Sequence, residues 1–165
     1  MGSLGEWDVQ FLLGPRGRDV EDDEYPTCAR TYATLRIYPE QLDPAEVTAR
    51  LGIRPSSWQR RCEVCNAGSK QAIPAKIHGW FLTTEGVVAS HDVRLHLDWL
   101  LARLGPKADA LRALRADGCR MDVSCYRLSR SGHGGPTVTP AQMGRLALFG
   151  LELWFDVYFV VSDDA

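Results

Sequence analysis

The chain lacks any apolar run long enough to cross a bilayer as a helix. Its most apolar stretch, Leu146 to Val161, is broken by Glu152 and Asp156 and falls short of the roughly 20 residues a span needs. It also lacks an excess of either charge: 19 Lys and Arg stand against 21 Asp and Glu, giving a formal net charge of −2 and a pI near 6.1. A general nucleic-acid binder usually has a domain pI above about 9, so nucleic acid is disfavoured as a partner. No low-complexity tract occurs. The first residues, Met1-Gly2-Ser3-Leu4-Gly5-Glu6, show no basic segment leading into an apolar one, and Glu6 stands where a myristoylation motif needs Ser or Thr. The expectation is therefore a cytoplasmic location with no membrane partner. Five cysteines are an odd number, and free thiols suit that compartment.

What is present is an ordinary globular composition over 165 residues. Folding at this size buries about 68–70% of the unfolded surface, so one core suffices without disulfides or metal. Residues 1–27 read as an N-terminal extension. In it Trp7, Val9, Phe11 and Leu13 alternate with Asp8 and Gln10, a pattern suited to a short strand on a sheet edge. An acidic linker follows with Asp19, Glu21, Asp22, Asp23 and Glu24. Residues 28–165 read as a single α+β domain.

Within that domain Ala33, Leu35 and Ile37 alternate with Tyr32, Thr34, Arg36 and Tyr38, the period of a half-buried strand. Asp43-Pro44-Ala45-Glu46 then has the form of a capped helix start, with Val47 and Leu51 buried and Gly52 as the stop. Residues 53–77 show no period. Trp80 to Leu82 restart a strand, and Ser90 is the expected cap of a helix carrying Val93, Leu97, Leu100, Leu101 and Leu104 on one face. His91 and His96 lie five apart and are expected at the surface. Gly105-Pro106 opens another helix through Leu111 and Leu114. Cys119, Met121, Val123 and Cys125 alternate inward along a third strand. A glycine-rich loop and Thr139-Pro140-Ala141-Gln142 lead to a helix with Met143, Leu146 and Ala147 inward. Leu151 to Phe159 form the last strand, with Leu153, Phe155 and Val157 toward the helices. The two proline-containing helix starts occupy equivalent places. They predict a four-stranded, mainly antiparallel sheet with helices on one face, in the manner of a duplicated split βαβ or ferredoxin-like fold.

Several segments, in this order and spacing, carry a likeness. They are Tyr32-Ala33-Thr34-Leu35-Arg36-Ile37-Tyr38-Pro39, Leu51-Gly52-Ile53-Arg54-Pro55 with Trp58, Leu97-Asp98-Trp99-Leu100-Leu101, Ser124-Cys125-Tyr126, Gly132-His133-Gly134-Gly135-Pro136, and Gly150 through Phe159. Across residues 28–161 the chain resembles the bacterial domain-of-unknown-function 4279 family. The resemblance implies a bacterial origin and a small α+β domain, and it implies no reaction. The acidic extension and the Cys62-Glu63-Val64-Cys65 motif look like departures from the family pattern, and they inherit nothing from it.

With helices covering one face, the other would carry Tyr32, Thr34, Arg36, Tyr38, Asp122, Ser124, Tyr126, Trp154, Asp156 and Tyr158. A solvated antiparallel face is mostly polar, so this one is unusually aromatic. It reads either as a docking surface, since Tyr, Trp and Arg are enriched at hot spots, or as cross-strand aromatic pairing covered by Trp7 and Phe11. RNA would stack on such rings, but Asp122 and Asp156 would repel its phosphates.

Cys62 and Cys65 have the spacing of half a zinc site, with Cys28, His78, Cys119 and Cys125 as the other candidate donors. They also read as a redox pair flanked by Arg60 and Arg61, or as incidental loop thiols. Ser131 and His133, with Asp156, lack the strained elbow of a hydrolase, and the glycine loop lacks the lysine of a phosphate loop.

The sequence thus favours a non-enzymatic bacterial protein-binding module that engages its partner through the aromatic sheet face or the 53–77 loop, in its concrete form a toxin-neutralising immunity protein. Its candidate binding residues are Tyr32, Arg36, Tyr38, Trp58, Tyr126, Trp154, Asp156 and Tyr158. It needs no cofactor, and a homo-oligomer is compatible with it. The alternative is a small metal-dependent or redox enzyme using Cys62 and Cys65, with zinc as the metal.

Overall fold

The computed structural model describes residues 25–62, 74–130 and 134–160. The N-terminal extension through residue 24, Cys65, Ser131 and His133 lie outside the described residues. Strand β1 runs over Cys28–Tyr38, and from Thr31 to Ile37 every second residue is buried. Helix α1 (Pro44–Leu51) starts where Asp43 accepts a hydrogen bond from the Ala45 N–H at 2.8 Å. Proline at the first helical position then costs no bond. Strand β2 (Ser57–Gln59) and strand β3 (Gly79–Thr83) follow, then helix α2 (Val93–Leu104). A 3-10 turn at Gly105–Lys107 leads into helix α3 (Ala108–Ala116). Strand β4 (Arg120–Ser129), helix α4 (Pro140–Phe149) and strand β5 (Glu152–Phe159) complete the order.

The sheet has five strands in the order β2-β3-β1-β4-β5. β1 is antiparallel to both β3 and β4, β2 is antiparallel to β3, and β5 is parallel to β4. The expectation of four strands therefore needs one more. β2 escapes a periodicity search because three residues cannot display a period. The split βαβ arrangement is present once and not duplicated: α1 joins β1 to β2, which run parallel on either side of β3, whereas α4 joins β4 to β5, which are direct parallel neighbours. Both α1 and α4 return the chain parallel, and the halves differ in that a strand lies between the first pair and none between the second.

The four α-helices among the described residues pack on one face. Ala33, Leu35, Ile37, Trp80, Leu82, Val123 and Cys125 point into a single core with Val47, Leu51, Leu97, Leu100, Leu101, Leu104, Leu111, Leu114, Leu146 and Phe149. Polar ties fix the helices in place. The Trp80 indole N–H donates to Thr48 Oγ1 at 2.9 Å, joining β3 to α1. Thr139 and Gln142 form a reciprocal capping box on α4, and Gln142 Nε2 also donates to the Arg94 carbonyl and to Asp98, both at 2.9 Å. At Gly150 the backbone adopts φ +65, and a Cβ there would lie 1.7 Å from the Arg115 guanidinium that donates to the Gly150 carbonyl. The positive φ favours glycine at this turn, while the Arg115 side chain could swing aside.

Three local expectations are corrected. Asp92, not Ser90, caps α2: its carboxylate accepts from the Arg94 N–H at 3.0 Å, while Ser90 Oγ accepts from the Asp92 N–H one step earlier. On α4 the buried side is Gln142, Leu146 and Phe149, with Met143 and Ala147 exposed, because a polar Gln takes the inward place through its bonds to α2. His96 is fully buried instead of exposed. Its Nε2 donates to the Ser90 carbonyl at 3.0 Å, and Nδ1 accepts from Thr84 Oγ1 at 2.6 Å, so the neutral ring is satisfied.

Burial lowers the His96 pKa, outweighing the Ser90 carbonyl and the Asp92 charge that pull the other way. The unfolded chain then binds a proton below pH about 6.5 that the native ring resists, so stability falls on acidification. Thermal melts between neutral and mildly acidic pH should show a falling midpoint whose slope is flatter in His96→Gln. An identical slope in both proteins would show that His96 does not titrate against folding.

Candidate functional site: the open sheet face

Opposite the helices, the central strands present their even-numbered side chains. β1 and β4 pair Tyr32 with Tyr126, Thr34 with Ser124, Arg36 with Asp122 and Tyr38 with Arg120. β4 and β5 set Trp154 beside Ser124 and Asp156 beside Tyr126. Seven of the eight expected binding residues, Tyr32, Arg36, Tyr38, Tyr126, Trp154, Asp156 and Tyr158, therefore share this face. Trp58 does not. It pairs with Trp80 on the helix side of the sheet, where with Arg54, Arg60, Pro44 and Thr48 it lines a separate open cleft of about 540 Å³.

The face is an ordered array of rings and charges. Tyr32 and Tyr126 stack with centroids 4.8 Å apart and planes 9° from parallel, and Tyr126 continues to Tyr158 at 5.3 Å. Stacked rings of this kind add about 0.5–1.5 kcal/mol beyond the area they bury. Arg36 donates through Nε to Asp122 at 2.5 Å and lies 6.0 Å over the Trp154 ring. Ser124 Oγ donates to Asp156 at 2.8 Å, and Thr34 to Thr83 at 3.0 Å. Arg120 lies over Tyr38, whose ring meets Phe81 edge-on at 5.8 Å. Arg30 pairs with Glu85 beside Tyr32.

Phe81 and Arg120 belong to this face and were not singled out from the sequence. Phe81 was legible in principle, since Trp80 and Leu82 point inward and the residue between them must point outward.

Burial raises the pKa values of the Tyr32 and Tyr38 phenols. Both stay protonated near neutrality and keep a hydrogen to donate. The face thus combines uncharged donors, aromatic area and ion pairs already matched within it. Such a surface can bury apolar area with Arg36 and Asp122 already neutralising each other, whereas a nucleic-acid face needs unmatched cations. The rings are graded in exposure. Tyr32 and Tyr126 are half-buried among their neighbours, whereas Trp154 and Tyr158 on β5 are 53% and 55% exposed. Aromatic pairing accounts for the first two and leaves the outer two uncovered among the described residues. Cover by Trp7 or Phe11 falls outside those residues.

A family model described as "Domain of unknown function (DUF4279)" matches residues 29–160. The chain belongs to this family. No curated protein matches it, and no solved structure does. No helix among the described residues is long and apolar enough to cross a membrane.

The thiols of this DUF4279 chain divide sharply. Cys62 is exposed, with its N–H bonded to the Ala75 carbonyl. Cys28, Cys119 and Cys125 are buried on the core side, and burial raises the pKa of all three, that of Cys125 to about 12. A metal needs the thiolate, so the three proposed extra cysteine donors are poorly placed. Among the described residues no cluster of three His, Cys, Asp or Glu could hold an ion. Brief alkylation of the native protein followed by peptide mass mapping should modify Cys62 and spare Cys28, Cys119 and Cys125. Rapid native modification of Cys125 would contradict the burial described.

Proposed function

We propose that this chain is a non-enzymatic protein-binding module of a bacterial cytoplasm and that it docks its partner on the open sheet face. The observation that carries this reading is the pair of half-exposed rings, Trp154 and Tyr158, at the end of an ordered ladder of Tyr and Arg side chains. Rigid aromatic groups lose little entropy on docking and dominate hot spots. Pre-formed pairs such as Arg36 with Asp122 fix the surface before the partner arrives, which lowers the cost of association. A toxin-neutralising immunity protein is the concrete form we favour, because that task needs a small soluble domain with a strong docking face and no chemistry of its own. The balanced charge of the face points to a partner surface rich in apolar and hydrogen-bonding groups.

Affinity capture from the native bacterium with a tagged full-length chain should retain one stoichiometric protein through a moderate salt wash. Trp154→Ala and Tyr158→Ala should each weaken its binding by about 2 kcal/mol, roughly 30-fold, while the melting temperature stays nearly unchanged. If both variants lose stability in proportion to binding, the rings are structural and the docking face is wrong. For the immunity form, co-expression of the chain should rescue cells from the captured partner. Rescue that persists with both substitutions combined would place the inhibitory contact elsewhere.

A further inference from the structure

The outer edge of β5 is unlike the rest of the molecule. Phe155 and Val157 were expected beneath the helices, yet they are 39% and 44% exposed, and Phe159 is 60% exposed. Together with Trp154, Tyr158 and Val160 they account for six of the eleven large apolar side chains left exposed among the described residues. Both faces of this strand are therefore open. Its eight residues, ELWFDVYF, hold no proline and no lysine, and its register with β4 runs from Glu152 to Phe159 without a bulge. No described strand pairs with its outer side. Proteins normally shield an edge by shortness, bulges, proline or lysine. β2 at the other edge uses the first device, with three residues. β5 uses none.

Backbone direction shows what is on offer. The Val160 N–H bonds inward to the Ser129 carbonyl. Hydrogen-bonding groups alternate sides along a strand, so the N–H and C=O of Leu153, Phe155, Val157 and Phe159 point outward. Two copies related by a two-fold axis perpendicular to the sheet must place residues of equal parity opposite each other. An axis at Asp156 would set that carboxylate against itself, and one at Trp154 would set Glu152 against Asp156. An axis at Phe155 sets Leu153 against Val157, Phe155 against Phe155, Trp154 against Asp156 and Glu152 against Tyr158. No carboxylate then faces another, both carboxylates face a residue with a polar hydrogen, and all outward groups from Leu153 to Val157 are paired.

We propose that β5 pairs antiparallel with β5 of a second copy about an axis at Phe155, joining two five-stranded sheets into one of ten strands. The contact is isologous, the commonest form of symmetric dimer. Its hydrogen bonds use backbone groups of the odd residues, its register sets the even side chains Trp154 and Tyr158 beside carboxylates of the second copy, and it does not depend on the docking role of the open face. The dimer would lay two open faces side by side on one continuous surface.

Sedimentation equilibrium of the full-length chain at micromolar concentration should give twice its 18.4 kDa mass. Phe155→Lys should give the single-copy mass while keeping the far-UV spectrum and a cooperative melt. As a second variant, Phe155→Pro removes the outward N–H along with the ring and should also be monomeric, with a cooperative melt showing that the fold survives. Hydrogen exchange should find the amides of Leu153, Phe155 and Val157 protected in the parent and fast in Phe155→Lys. A parent of single-copy mass overturns the proposal. If its β5 amides are nonetheless protected, a segment of the same chain such as residues 7–13 covers the edge. A dimer that survives both substitutions is held by another surface, and the β5 pairing is then equally wrong.

Discussion

The long antiparallel pairing of β1 with β4 is the constraint on which everything else rests. Ten residues of partner register, from Cys28 opposite Ser129 to Tyr38 opposite Arg120, lock two alternating patterns together. Ala33, Leu35 and Ile37 meet Cys125, Val123 and Met121 on one face, and a one-residue slip would send all of them to the other. Each fully buried Leu or Ile contributes about 1.5–3 kcal/mol of transfer free energy, so register and core are the same decision. Four helices bring their leucines to that face. No element among the described residues covers the opposite one, which carries Tyr32, Tyr38 and Tyr126. Stacking, ion pairing and short hydrogen bonds between neighbours order its side chains, and the same order makes the face a rigid surface for a partner.

The exposure of β5 follows from how α4 is held. A helix of ten residues is about 15 Å long, and an eight-residue strand is about 26 Å. The beginning of α4 is drawn to α2 by Gln142, which bonds the Arg94 carbonyl and Asp98. Leu151 is buried and Leu153 half-buried beneath the end of α4, whereas Phe155, Val157 and Phe159 extend past its cover. The same tie that secures the helical layer therefore leaves a hydrophobic edge for pairing.

Local patterns were legible where a period or a cap spans enough residues. β1 and β4 show clean alternation, and both Asp43 and Thr139 cap helices with proline just inside. From these alone seven of the eight proposed binding residues could be assigned to one face. Strand order was not legible, because adjacency depends on tertiary packing that the two proline-capped starts do not encode. They suggest a repeat, and both helices do join parallel strands, yet β3 lies between the first pair and no strand lies between the second. Trp58 belongs to the 53–77 segment, the second docking surface that the sequence offers, and β2 is too short to reveal which way its residues point. His96 looked like a surface residue because the groups that satisfy it, the Thr84 hydroxyl and the Ser90 carbonyl, come from the loop before α2 and the end of β3. Phe155 alternated correctly but had no helix above it, and periodicity reports a face without reporting its cover.

A partner held by this domain has two candidate surfaces, the aromatic sheet face and the helix-side cleft around Trp58. Hydroxyl-radical footprinting of the chain, free and bound to its captured partner, separates them directly. Docking on the sheet face requires that Trp154, Tyr158 and Tyr126 become protected while Trp58 and Trp99 react as before. Protection of Trp58 or Trp99 with Trp154 and Tyr158 still reactive would contradict it.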